Sequence, residues 1–217
     1  MSGMTVPGRL VLVTRVIAGA AGGRRLAVPP GNGTRPTSDR AREGLFASVM
    51  SEFGGRLDGL RVMDLYAGSG ALGLEALSRG AAHVLLVESD ARAAAVIKAN
   101  VTAVGLPGAA VAVDRAERLL ARPQQRERGY DLVVADPPYA AAGAAVRAVL
   151  DLLRGGWLAA GALVVVERAT RSGAVDWPPG YDAGKSRRYG EATFWYGWYG
   201  SGAARGETPG NGAAASA

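Results

Sequence analysis

A doubly wound α/β domain on a mostly parallel sheet is the fold this sequence predicts, and three observations predict it. Strand-like and helix-like segments alternate regularly from Arg61 to Arg168, the order expected of β-α-β units. The strand-like runs are short, β-branched and apolar on both faces, as strands covered by helices on each side must be. A glycine-rich turn, "AGSGALG" at 67–73, follows the first of them and opens the first helix.

In chain order, "TRVIAGAAGGRRLAVP" (14–29) holds two short β-like runs around a Gly-rich turn and predicts a hairpin. "RPTSDRAREGLFASVM" (35–50) predicts a helix capped by Thr37, Ser38 or Asp39, with Leu45, Phe46 and Val49 on one face. "RVMDLYA" (61–67) is the first strand of the alternating region, followed by the helical "GALGLEALSRG" and the strand "HVLLVES" (83–89). The helix "DARAAAVIKANVTAVG", the strand "AAVAVD" (109–114) and a short helical "RAERLLARPQQR" come next. "YDLVVAD" (130–136), a helical "AAVRAVLDLLRGGW" and "GALVVVER" (161–168) complete the alternation. "SRRYGEATFWYGWYG" (186–200) has no helix between its aromatic β-formers and predicts one or two closing strands, a hairpin turned at Tyr189-Gly190. The low-complexity end from 201 to 217 is expected to be disordered. The expected organisation is therefore an extension (1–13), an N-terminal hairpin and helix (14–50), a main domain (51–200) and a tail.

Composition narrows the function classes. The 217 residues include no cysteine and one histidine, His83, which excludes disulfides, thiolate nucleophiles and multi-histidine metal sites. No apolar run approaches the roughly 18–20 residues that span a bilayer, and the N-terminal "GRLVLVTR" is too short for a secretory core. A cytoplasmic protein is expected. The net charge of +6 is carried by the two ends. Residues 1–45 hold seven arginines against Asp39 and Glu43, residues 46–167 are close to neutral, and residues 168–205 hold six basic against three acidic residues. Such a distribution suits a polyanionic partner such as nucleic acid, or a solvated basic surface.

Gly68, Gly70 and Gly73 form a G-x-G-x-x-G turn between strand and helix, and Glu88 ends the next strand, where an acid can bind both hydroxyls of a ribose. This constellation points to an adenosine-containing ligand. Asp64, four residues before the first glycine, favours S-adenosylmethionine over a dinucleotide: a carboxylate there repels pyrophosphate and attracts the ammonium of a methionine moiety. Its bland alternative is a turn or capping residue. Asp114 closes the third strand of the alternating region, where its side chain could meet the adenine amino group.

"VVADPPYA" places Asp136, Pro137, Pro138 and Tyr139 at the end of the fourth strand, on the edge where open α/β sheets bind ligands. Two prolines in succession make a rigid loop whose carbonyls are free to accept hydrogen bonds. The Asp136 carboxylate and the Pro137 carbonyl can each accept one N–H of an exocyclic amine, orienting its lone pair and offsetting the positive charge that grows on nitrogen as it attacks a methyl group. Tyr139 can stack on the base.

On these motifs the sequence resembles class I S-adenosylmethionine-dependent amino-methyltransferases. "RVIAGAAGGRRLAVP", "RPTSDRARE" and "DLYAGSGALGLEALSRGA" together resemble the RsmD family, which methylates N2 of one guanine in 16S ribosomal RNA. The likeness runs from about Thr14 to about Gly200. The resemblance implies a Rossmann-like, seven-stranded, mostly parallel sheet with an N-terminal hairpin and helix facing RNA, and S-adenosylmethionine as cofactor. It puts the cofactor loop on Asp64, Ala67, Gly68, Ser69 and Gly70, the ribose acid on Glu88, and the adenine contacts on Asp114, Arg115 and Ala116. It makes Asp136, Pro137, Pro138 and Tyr139 the catalytic tetrad. Arg35, Pro36 and Thr37 would reach over the methionine end, although helix capping explains Thr37 equally well. Arg15, Arg24, Arg25, Arg35, Arg40 and Arg42 would line a platform for the backbone of the 16S rRNA in the 30S subunit or its assembly intermediate, with Arg187 and Arg188 on the opposite rim. A monomer without a metal is expected.

Family members usually start near "TRVIAG". The 12 residues ahead of Val13, which stands where a GTG start codon would be read, are therefore expected to be disordered or to precede the true start. His83 reads as structural, and Trp157, Trp177, Trp195 and Trp198 as cover for the sheet edge; Glu167 ends the fifth strand without a settled orientation. Competing readings are an adenine or cytosine methyltransferase of DNA, against which stands the lack of a large recognition insert, and a dehydrogenase, which leaves "DPPY" without a role. A non-catalytic RNA-binding assembly factor is a third, disfavoured by the intact tetrad.

Overall fold

The alternation of apolar runs builds one sheet. The computed structural model describes residues 13–30, 38–123, 128–138 and 143–200; the expected extension before Val13, the tail from residue 201, Arg35, Thr37 and Tyr139 lie outside these residues. A small hairpin of β1 (Val13–Arg15) and β2 (Arg25–Ala27) precedes helix α1 (Asp39–Glu52). The main sheet follows with β3 (Arg61–Leu65), β4 (His83–Glu88), β5 (Ala109–Val113), β6 (Tyr130–Ala135), β7 (Leu158–Ala169), β8 (Tyr181–Tyr189) and β9 (Ala192–Tyr199). Its spatial order is β5-β4-β3-β6-β7-β9-β8, with β3 to β7 parallel and β9 antiparallel to both its neighbours. The intervening helices are α2 (Ala71–Ser78), α3 (Ala91–Val104), α4 (Ala116–Leu120) and α5 (Gly143–Leu153). The expected doubly wound, mostly parallel seven-stranded sheet is the one observed. Among the described residues no helix is long and apolar enough to cross a membrane.

Alternation along each strand divides the core in two. Val62, Leu86, Leu132, Val134, Leu163 and Val165 face α1, α2 and α3, where Phe46, Leu74 and Ile97 meet them. Met63, Leu65, Val133, Ala135, Val164 and Val166 face α5 through Val146, Val149 and Leu153. Of the three candidate caps for α1, Ser38 is used: its side chain accepts from the Ala41 N–H at 3.2 Å. The closing strands turn at Gly190, where a φ of 63° suits glycine. The aromatic residues of this region serve packing. The Trp157 indole donates to the Leu120 carbonyl at 3.0 Å and stacks on Tyr130, while Trp198 meets Phe53 with ring centroids 6.1 Å apart. His83 opens β4 beside the Tyr130 ring.

The N-terminal hairpin is fastened to the sheet domain by three buried polar side chains. Glu75 on α2 accepts from the Ile17 and Ala18 amides at 2.6 and 3.1 Å and from Arg79 at 2.7 Å. Ser78, one turn later, accepts from the Ala21 amide and donates to the Ala18 carbonyl. Asn100 on α3 pairs with both backbone groups of Ala27 and donates to the Ser69 carbonyl, each at 2.9 Å, so the same side chain holds β2 and the glycine-rich turn. Glu75→Ala leaves two sequestered amides without acceptors, each costing about 1–3 kcal/mol. Faster amide hydrogen exchange at Ile17 and Ala18, with β3 and β6 still protected, is the expected result; unchanged exchange at both amides would contradict this docking.

One sequence-based expectation is corrected here. Arg42 was expected on an RNA-facing platform, but it is only 1 % exposed. Its guanidinium donates to the Thr14 hydroxyl, the Arg15 carbonyl at 2.7 Å and the Asp39 carboxylate at 2.8 Å, tying β1 to the first turn of α1. Burial lowers its pKa while Asp39 and Glu75 oppose the shift. Deleting the buried side chain removes its packing and leaves the Arg15 carbonyl and the Thr14 hydroxyl without this donor, each part-buried loss costing about 1–3 kcal/mol. Arg42→Ala should therefore lower the unfolding midpoint in urea sharply. A variant of wild-type stability with a shallower salt dependence of RNA binding would restore the surface role.

Candidate active site

The strand order reverses between β3 and β6, so the crevice beyond their carboxyl ends is the place where such a sheet binds ligands. The chain leaves β3 through Tyr66, whose φ of 64° puts a non-glycine residue in the left-handed region. The glycine-rich turn follows. At Gly70 (φ 77°) a Cβ would come within 3.1 Å of Leu86, and at Gly73 within 2.8 Å of Leu86 and 2.9 Å of Val84. Gly73 thus sets the close approach of α2 to the sheet. Asn100 holds the turn from behind through the Ser69 carbonyl, and Ala67 donates its amide to the Val87 carbonyl.

Glu88, at the end of β4, reaches back to this turn: it accepts from the Gly68 amide at 2.9 Å and from Asp90 N–H at 2.8 Å. Asp64 lies below the turn and is 1 % exposed. One of its oxygens, Oδ2, accepts from the Gly73 amide at 2.8 Å, while Oδ1 is buried with no hydrogen-bond partner. Burial pushes this carboxyl up to about 7; the Gly73 hydrogen bond opposes the shift and the charge of Glu88 adds to it. A buried carboxylate with one open oxygen is a receptor for a cation or an N–H donor.

Beside the turn is a cleft of about 540 Å³. Val87, Ser89, Asp114, Arg115, Ala116, Pro137, Pro138, Ala145 and Val146 are among the residues that border it. The expected adenine-contacting positions and both prolines are thus brought to one cavity. Asp114 is heavily engaged: it accepts from the Arg115 amide and from the side chains of Arg118 and Arg122, and the Arg118 hydrogen bond helps hold its carboxyl below the ordinary value. Six lining residues were not singled out from the sequence, among them Tyr66 and Glu117, whose side chains are joined by a hydrogen bond of 3.1 Å. Nothing in their local pattern marked them, because the left-handed backbone at Tyr66 is visible only in the folded chain.

Asp136 follows the last residue of β6 and donates its amide to the Leu65 carbonyl at 3.3 Å. Burial, then the neighbouring charges of Glu167 and Asp64, push its carboxyl well above the ordinary range. The edge therefore gathers carboxylates in a sequestered place, a strong attractor for positive charge.

The basic residues expected to meet RNA divide by exposure. Arg24, Arg25, Arg40, Arg187 and Arg188 are exposed. Arg24 donates to the Ala103 carbonyl, Arg188 to the Gly190 carbonyl, and Arg15, also exposed, pairs with Asp39 at 3.1 Å. Helix α1 runs along the β8–β9 hairpin, with the Tyr189 ring against Gly44 and Lys185 paired to Glu52 at 2.6 Å. Because Ala192, beyond the hairpin turn, pairs with Ala169 at the carboxyl end of β7, the first turn of α1 and the turn at Gly190 both sit at the ligand-binding end of the sheet.

The model of the family described as conserved hypothetical protein 95 matches residues 14–198. Ribosomal RNA small subunit methyltransferase D of Escherichia coli K12 is 34% identical over 184 residues, 83% of this chain and 87% of that protein. The protein of the same name from Haemophilus influenzae is 36% identical over 155 residues, 70% and 77% of the two chains. Among solved structures, the yhhF protein of Escherichia coli superposes with a TM-score of 0.75 at 31% identity, covering 86% of this chain and 98% of that one. RsmC of Thermus thermophilus, a 16S rRNA N2 methyltransferase solved with AdoMet and guanosine, superposes with a TM-score of 0.64 at 21% identity, over 87% and 50% of the chains, and shares the fold.

Proposed function

The chain belongs to the conserved hypothetical protein 95 family, the RsmD family, and from that premise we propose that it transfers a methyl group from S-adenosylmethionine to the exocyclic N2 amine of a guanine in 16S rRNA of the small ribosomal subunit. The observation that carries the reading is the loop that follows β6, in which Asp136 is succeeded by Pro137 and Pro138, the two prolines bordering the cleft.

The residues present fit this methyl donor. Asp64 Oδ1 is a buried acceptor without a partner, suited to an ammonium group. The Gly68–Gly70 turn allows close backbone approach, Glu88 stands where ribose hydroxyls can displace its bonds to backbone amides, and Asp114, Arg115 and Ala116 border the cavity that takes a flat ring. Bound there, S-adenosylmethionine supplies an electrophilic methyl group on a positively charged sulfur.

This chain's own groups then act on the amine. Guanine N2 is a weak nucleophile because its lone pair is delocalised into the ring, so orientation carries much of the rate. The Asp136 carboxylate and the Pro137 carbonyl each accept a hydrogen bond from one N2–H and aim the lone pair; once the N–CH3 bond has formed and the C–S bond has broken, Asp136 takes the one proton that the positive nitrogen releases. A cation nearby favours the ionised form of Asp136, which burial and its acidic neighbours disfavour in the free protein. Tyr139 stacks on the base. Reaching this sheet edge requires the guanine to leave its stack. Arg15, Arg24, Arg25, Arg35 and Arg40, with Arg187 and Arg188 across the site, hold the rRNA backbone of the 30S subunit or its precursor, which sets affinity and salt dependence rather than base identity. Thr37 joins the cofactor contacts. The enzyme works as a cytoplasmic monomer, with residues 14–50 as its RNA-facing part and 51–200 as the catalytic domain.

The test supplies radiolabelled S-adenosylmethionine with 30S particles or ribosomes lacking the modification. Label recovered as N2-methylguanosine in 16S rRNA supports the reading, and label confined to DNA or protein overturns it.

A further inference from the structure

A half-buried arginine, Arg168, stands at the carboxyl end of β7, and the reaction proposed above gives it no task. Ala162, Val164 and Val166 point to the core layer under α5, and continuing that alternation puts Arg168 on the same side. Its surroundings agree: a Cβ on Gly143, the first residue of α5, would lie 3.9 Å from Arg168 Nη2. The first turn of α5 borders the cleft through Ala145 and Val146. The parallel register pairs Ala135 with Val166, so Arg168 lies two residues further along β7 just as Pro137 lies two beyond Ala135. Register then carries a row outward from this point. Arg168 pairs with Thr193 on β9, and Thr193 with Arg188 on β8. Directly opposed residues of antiparallel strands share a face, so Arg168 and Arg188 stand in one row, two strand spacings or about 10 Å apart. Arg187 is opposed to Phe194 of the other layer and faces the α1 side instead. Arg168 Nη1 donates to the Ala174 carbonyl at 2.9 Å and to the Gly173 carbonyl at 3.5 Å, and Arg188 Nε donates to the Gly190 carbonyl at 2.9 Å. Carbonyls orient a guanidinium without neutralising it, and each fork carries further N–H donors.

We propose that Arg168 grips a backbone phosphate beside the target nucleotide and, with Arg188, forms a track that leads the RNA strand from the catalytic loop across the end of the sheet to β8. This rests on the RNA-methylating reading. A base drawn out of its stack brings its own sugar and phosphates to the rim of the pocket, and Arg168 stands at that rim beside the first turn of α5. A guanidinium already held by backbone carbonyls loses little side-chain freedom on binding, and its planar fork matches two phosphate oxygens.

The experiment measures binding of the full-length protein to 30S particles lacking the modification across a series of potassium chloride concentrations. Arg168→Gln keeps a donor for the Ala174 carbonyl but carries no charge. It should weaken binding about tenfold and lower the slope of log affinity against log salt by about 0.7–0.9, the share of one phosphate. Affinity for S-adenosylmethionine should stay at the wild-type level. Arg168→Lys should restore the slope, and the Arg168→Gln, Arg188→Gln pair should lower it about twice as far. Arg56→Gln, at the opposite end of the sheet ahead of β3, should leave it unchanged. A wild-type slope in Arg168→Gln, or an equal fall in Arg56→Gln, overturns the assignment without touching the RNA-methylating reading. A second measurement needs no variant: phenylglyoxal modification of Arg168 in the wild-type protein, read by mass spectrometry, should be slowed by bound 30S particles while that of Arg56 is not. Modification of Arg168 at the same rate with and without particles overturns the assignment. A wild-type protein that neither binds nor methylates the particles would instead overturn the reading beneath it, and the assignment with it.

Discussion

Asp136→Ala abolishes methyl transfer while leaving the affinity for S-adenosylmethionine nearly unchanged. In the proposed reaction the side chain, one residue beyond β6, would face the amine, and the donor's methionine and ribose ends would be held by Asp64, the glycine-rich turn and Glu88. Losing an acceptor that strengthens as charge develops costs about 10²–10³ in rate, and losing the proton acceptor as well costs more. Asp136→Asn keeps an acceptor oxygen but cannot take the proton, so its single-turnover rate should fall between those of wild type and the alanine variant. Equilibrium binding of the donor, measured beside single-turnover transfer, separates the two effects. An alanine variant with wild-type turnover would remove Asp136 from the chemistry.

Asp64→Asn should make the protein more stable and nearly unable to bind its methyl donor. Burial raises the folded-state pKa of Asp64 to about 7 from an ordinary value of 3.8. Between those values the folded protein holds a proton that the unfolded chain has released, so stability falls as pH rises through the window and levels off above about 7. A tenfold change in proton affinity corresponds to about 1.4 kcal/mol, which bounds the penalty at about 4 kcal/mol near neutrality. Asparagine can still accept from the Gly73 amide but carries no charge to bury. Its stabilisation should appear in urea unfolding at pH 8 and vanish near pH 4. Donor affinity moves the other way: the ammonium group needs the ionised carboxylate, so wild-type binding should strengthen with pH up to about 7, and the variant should lose both the affinity and that dependence. A less stable Asp64→Asn at pH 8, or one that binds normally, would contradict the role given to this carboxylate.

Much of the architecture was readable because its determinants are local. The Tyr189-Gly190 turn, the Ser38 cap and the glycine-rich turn each depend on a few adjacent residues whose conformational preferences are strong. The prolines after Asp136 likewise announced a rigid loop at a strand end. Side chains whose meaning depends on distant partners were harder. Arg42 sits in an arginine-rich stretch and looks solvated, yet it precedes Leu45 by three residues and Val49 by seven, the spacing of the buried stripe of α1. Asn100 likewise stands three after Ile97 and four before Val104 on the inner face of α3. Glu75 is the one charged residue of α2, amid leucines and alanines. In each case a polar residue at a core position carried the signal, but its partners are roughly 25 to 75 residues away and only the fold names them. The place of Glu167 beside Asp136 needed the register of β6 against β7.

The most direct measurement is the identity of the methylated nucleoside. After transfer to unmodified 30S particles, the 16S rRNA is digested to nucleosides and the label is assigned by chromatography and mass spectrometry. The carboxylate-lined edge of this sheet predicts N2-methylguanosine at a single position, lost in Asp136→Ala. Label recovered as a methylated adenosine or cytidine would contradict it.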